Sequence, residues 1–73
     1  MHSREIENVL SNADANDVII IKCGNTIVEG FRKDLVYHFN NNKTILNISN
    51  TNEKERSHYL LTIGRIYAIE HYY

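Results

Sequence analysis

The residues with most to offer a ligand fall in two short segments. Asn40-Asn41-Asn42-Lys43 sets three primary amides beside an ammonium group. An amide carries both donors and an acceptor, the combination that reads the edge of a nucleobase. The same run is also the composition of a plain turn, because Asn tolerates turn geometry. Gly64-Arg65 is the second segment. A guanidinium contacts phosphate or stacks on a flat ring, and it serves equally as a surface arginine behind a turn glycine. Just before the asparagine run stand Tyr37, His38 and Phe39, a possible stacking platform. Strand alternation puts Tyr37 and Phe39 together on a core-facing side and leaves His38 as the exposed member. Lys22, Arg32, Lys33 and Lys43 offer a modest basic rim, but Glu29 and Asp34 are interspersed, as on a mixed solvated surface.

Other chemistries lack their residues. His2, Cys23, His38, His58 and His71 include no pair at metal-ligand spacing, so no metal site is expected. Cys23 lies in an aliphatic run and reads as a small core residue. No phosphate loop, nucleophile elbow or acidic pair in an apolar setting is visible, so neither catalysis nor a cofactor is expected. One cysteine excludes an internal disulfide framework. Asn42-Lys43-Thr44 and Asn47-Ile48-Ser49 match the glycosylation pattern, a chance event in a chain with ten asparagines. Eight basic against nine acidic side chains give a net charge of −1, which excludes coating nucleic acid by charge alone. The longest aliphatic run, Val18 to Ile21, is far below the ~18 residues of a membrane span. Met1 to Glu5 is polar rather than an apolar leader, so a cytoplasmic protein away from membranes is expected.

The elements that must position these groups follow from periodicity. Ser3 to Asn12 reads as a helix with Ser3 as N-cap and Glu5 and Glu7 in the first turn. Ile6, Val9 and Leu10 form one apolar stripe, and a helix this short must dock on something. Asn12 to Asp17 is a polar connection. Val18 to Cys23 is β-branched and reads as a strand buried on much of both faces. Gly24-Asn25 signals a tight hairpin. Residues 26 to 39 read as one long, strongly bent strand, with Gly30 at a bulge or bend. Thr44 to Ser49, His58 to Ile63 and Ile66 to Tyr72 complete five strands, separated by the turn at Asn40 to Lys43, the polar loop Asn50 to Ser57, and Gly64-Arg65.

No helix separates the strands, which excludes parallel βαβ architecture. The expectation is a mainly β single domain over residues 1–73: an N-terminal helix at 3–12 and a five-stranded, strongly bent antiparallel small barrel at 18–72. A domain of this size without disulfide or metal is marginally stable and gains from self-association. Tyr59, Tyr67, Tyr72 and Tyr73 on the last two strands suit a subunit contact.

The order of one helix and five strands with a bent second strand resembles the Sm-like family, which includes Hfq. Val18-Ile19-Ile20-Ile21-Lys22 is similar to the aliphatic strand of the first Sm motif. Asn25 stands at its turn glycine, Val28 at its apolar position and Gly30 at its second glycine. Ile63-Gly64-Arg65 followed by Ile66-Tyr67-Ala68-Ile69 resembles the second motif, with Gly and Arg in reverse order. The family's Asp-x-x-x-Asn loop is met by Asp34 and the Asn40 to Asn42 run at a different spacing. The resemblance implies an SH3-like barrel whose copies form a ring, the fourth strand of one subunit pairing with the fifth of the next. It further implies that single-stranded, U- or A-rich RNA binds at the pore through His38, Asn40, Asn41, Asn42, Lys43, Gly64 and Arg65. A second expectation is a small-barrel protein-interaction or assembly module without RNA binding, favoured by the neutral charge and the altered loop spacing.

Overall fold

A computed structural model describes all 73 residues. The chain is mainly β, with one N-terminal helix, α1 (Ser3–Asn12). Six strands follow: β1 (Val18–Cys23), β2 (Thr26–Phe31), β3 (Leu35–Phe39), β4 (Ile45–Asn50), β5 (Ser57–Thr62) and β6 (Ile66–Tyr72). They make two antiparallel three-stranded sheets, ordered β2-β1-β6 and β3-β4-β5. No helix is long and apolar enough to cross a membrane.

The strand count corrects the expectation of five. Residues 26 to 39 are not one bent strand but β2 and β3, separated by a 3-10 turn at Arg32–Asp34. The reason lies in where two backbone amides go. The Arg32 and Lys33 N–H groups donate to the Asp17 and Ala15 carbonyls at 2.8 and 3.0 Å, so they serve the α1–β1 connection instead of a ladder. The Arg32 side chain holds the corner. Its Nε donates to the Leu10 carbonyl at 2.6 Å, its Nη1 to the Leu35 carbonyl at 2.8 Å, and its guanidinium lies 5.2 Å from the Tyr37 ring centre. One side chain thus binds the end of α1 to the start of β3, through charge-assisted bonds stronger than neutral ones.

Gly30 makes no bulge, since β1 and β2 pair without interruption through Ile19 and Gly30. Its function is space. A Cβ there would stand 2.7 Å from Asn50 Nδ2, and that amide donates to the Glu29 carbonyl at 3.0 Å across the gap between the sheets. The register shift occurs instead between Lys22 and Cys23 where β1 meets β6.

The core is a single cluster of twelve buried residues with contributions from α1 and every strand. Alternation along β1 buries Ile19, Ile21 and Cys23 and leaves Val18, Ile20 and Lys22 half-exposed, so the strand is fully buried on one face rather than both. Tyr37 and Phe39 pack against the core edge-to-face at 6.0 Å, and His38 points outward. Ile6 and Leu10 are fully buried and Val9 packs beside them, so the α1 stripe docks as expected. The N-cap is His2, not Ser3: the His2 N–H donates to the Glu5 carboxylate at 3.1 Å, and Ser3 is the first helical residue.

Candidate nucleic-acid interface

Three turns gather at one end of the molecule. The second 3-10 turn, Ile63–Arg65, sits between the other two. Ile63 N–H donates to the Thr44 carbonyl at 2.9 Å, which ties it to the turn before β4. Gly24 N–H donates to the Arg65 carbonyl at 3.1 Å, which ties it to the β1–β2 hairpin. The Asn40–Thr44 and Gly64-Arg65 segments, 20 or so residues apart in the chain, are therefore neighbours.

Within that cluster the candidates divide. Asn40 builds its own turn. Its Oδ1 accepts from the Thr44 and Ile45 amides at 2.8 and 3.0 Å, and its Nδ2 donates to Thr44 Oγ1 at 2.8 Å. Lys43 takes the left-handed backbone of the turn at φ 58°, and its ammonium lies 5.2 Å from the Phe39 ring centre. Asn41 and Asn42 are exposed at the tip and carry none of the turn's hydrogen bonds. Gly64 is exposed with open space around its α-carbon, and its φ is not positive, so no steric demand requires glycine there. Arg65 is exposed and belongs to neither of the chain's two ion pairs. Its guanidinium lies against Gly24, where a Cβ would come within 3.1 Å of Nη2. Gly24 has φ +55° and Asn25 does not share it, the pattern of a type II′ turn. The left-handed hairpin residue is thus Gly24, not Asn25. His38 stands two residues before Asn40, on the outer face of β3 opposite Asn47.

The four basic residues considered for a rim do not gather. Lys22 pairs with Glu70 at 2.9 Å, Arg32 is the corner residue, Lys33 lies over Phe31, and Lys43 lies over Phe39. A shallow hollow of about 230 Å³ beside Arg65 is walled by Cys23, Asn25, Thr26 and Leu60 to Thr62.

Two polar clusters escaped the sequence reading because both depend on cross-strand register. His71 Nε2 lies 2.6 Å from Asp17 Oδ2, which also accepts the Asp14 amide at 2.9 Å. The bond to His71, followed by that amide, holds the Asp17 carboxyl below its ordinary range. On the outer face of β1 and β6, Glu70 takes bonds from Lys22 and from the Tyr72 hydroxyl at 2.7 Å. These contacts lower the Glu70 carboxyl and raise both partners. The alternation of Ile20 with Lys22 and of Glu70 with Tyr72 is the one signal that placed them on a common face.

Comparison with protein-family models, curated proteins and solved structures finds no match.

Proposed function

We propose that the two sheets form one Sm-like small barrel, that copies assemble into a homo-oligomeric ring, and that the ring binds single-stranded U- or A-rich RNA at its turn-bearing end. The observation that carries this reading is the Ile63–Thr44 hydrogen bond, which makes the asparagine turn and Arg65 parts of one surface. Asn41, Asn42 and Arg65 are the groups free to contact bases and phosphate. Asn40 and Lys43 shape the turn that presents them, and Gly64 leaves backbone open beside Arg65. His38 flanks them on the outer face.

Assembly is supported by the strand edges. β5 and β6 each end a sheet, so each has an edge without a neighbour. Leu60 on β5 is 66% exposed and Tyr67 on β6 is 63% exposed. Pairing β5 of one copy with β6 of the next removes both edges and covers both side chains. A ring also repeats Arg65 around a pore, concentrating positive charge that a neutral monomer lacks.

The test combines mass in solution with binding of labelled oligouridine and oligoadenine. A ring-sized species that binds either oligomer is expected, with Arg65→Ala about tenfold weaker, the scale of one lost charged hydrogen bond. A strict monomer at micromolar concentration removes the ring, and a ring without affinity for either oligomer removes the RNA function.

The second reading, an assembly module without RNA binding, is favoured by one observation: the Asn40 amide is spent on its own turn. Salt separates the two, since phosphate contacts weaken steeply as salt rises and apolar protein contacts do not.

A further inference from the structure

The loop between β4 and β5 sorts charge onto its two flanks. On one flank a cleft of about 330 Å³ carries Glu29, Asp34 and Glu55 in its walls against a single base, Lys54. The other flank holds the largest hollow of the molecule, about 500 Å³, lined by Ser49, Asn50, Thr51, Arg56, Ser57 and His58. No acid lines it, although the chain has more acidic than basic side chains.

We propose that this second hollow binds a phosphate group. Two of its walls are already committed. Asn50 bonds the Glu29 carbonyl and the Asn52 amide, and the Thr51 hydroxyl donates to the Asp34 carbonyl at 2.9 Å. The other four are Ser49, Arg56, Ser57 and His58; Ser49 and His58 share the outer face of the ladder, while Ser57 stands opposite the buried Asn50 on the inner face. Arg56 is exposed and in neither ion pair, so its guanidinium fork, suited to phosphate oxygens, is free. Ser49 and Ser57 are half-buried at the ends of β4 and β5. His58 stands opposite Ser49 in the ladder, and its Nε2 is 2.6 Å from Asn47 Oδ1. An amide oxygen only accepts, so Nε2 carries hydrogen and the ring is held in one orientation.

This hollow is distinct from the RNA surface proposed above. β4 runs from the asparagine turn at Ile45 to the hollow at Asn50, a separation of about 16 Å at ~3.3 Å per residue. The two assignments therefore stand or fall separately.

The full chain, labelled with nitrogen-15, is titrated with inorganic phosphate and, separately, with adenosine monophosphate at constant ionic strength. Saturable shifts confined to Ser49, Arg56, Ser57 and His58 are expected. Arg56→Gln should weaken binding at least about tenfold. Ser49→Ala should weaken it less, and Arg4→Gln on α1 should leave it unchanged. Tighter binding of the nucleotide assigns the phosphate to a nucleotide, and equal binding assigns it to phosphate itself. Arg56 makes no contact the fold needs, so an unchanged spectrum away from the hollow certifies that variant as folded. Absence of saturation with both probes, an equal response to acetate, or binding indifferent to Arg56→Gln overturns the proposal.

Discussion

Asp17 is the polar residue with most at stake in the folded state. It is 7% exposed, accepts bonds from His71 and the Asp14 amide, and has its carboxyl held below the ordinary range by them. A carboxyl lowered on folding contributes stability that is complete above its unfolded value and fades as pH falls through its folded value. Acid denaturation should therefore include a component below the ordinary carboxylate range. Asp17→Asn should flatten that component, as chemical denaturation at a series of acidic pH values will record. Gly30 gives a second residue-scale expectation. Gly30→Ala places a methyl group against the Asn50 amide and breaks its bond to the Glu29 carbonyl. The cost should be about 1–3 kcal/mol, read as a lower urea midpoint. Arg32→Ala leaves the Leu10 and Leu35 carbonyls without their charged donor. It should cost at least about 1.5–3 kcal/mol, the range for a hydrogen bond to a charged group, read as a lower urea midpoint.

At the scale of elements, the docking of α1 decides stability. Leu10 is fully buried, and Leu→Ala in a core costs ~2–5 kcal/mol. A domain of this length holds only about 4–11 kcal/mol in total. Leu10→Ala should accordingly lower Tm by more than about 10 °C in a thermal scan. The helix stripe, the hairpin turns and the inward side of the segment from Leu35 were legible in the residues, because each is written locally: Ile6 with Leu10, Tyr37 with Phe39. In Val18 to Cys23, apolar at nearly every position, the inward set Ile19, Ile21 and Cys23 was not. The break at Arg32–Asp34 was not, because its cause is distant. It depends on carbonyls of Ala15 and Asp17 that only the folded chain brings near. The same holds for the candidate surface. Asn40 and Arg65 were identifiable by type, but the Ile63–Thr44 bond that makes their turns neighbours is a tertiary fact. The consumption of the Asn40 amide by its own turn was equally invisible, since Asn-rich runs have the same composition whether they bind or merely bend.

For the whole molecule, the proposed ring can be tested at the edge strand β6. Tyr67→Asp puts a charge on the exposed side chain of β6. If β6 meets β5 of another copy, sedimentation should find the variant shifted toward monomer while its circular dichroism is unchanged. An unaltered mass would place Tyr67 outside any subunit contact.

The pairing of β1 with β6 also has a consequence in time. Val18 faces Tyr72, and Ile19 faces His71, so the first strand of the chain waits for the last. During synthesis β1 has only β2 beside it until β6 has also been made. Contacts of such long sequence separation slow folding relative to local ones. The half-built hairpin must therefore survive with Ile19 and Ile21 uncovered, and the hydrophobic strand that makes the finished core is the one most exposed to wrong partners while the protein is being made.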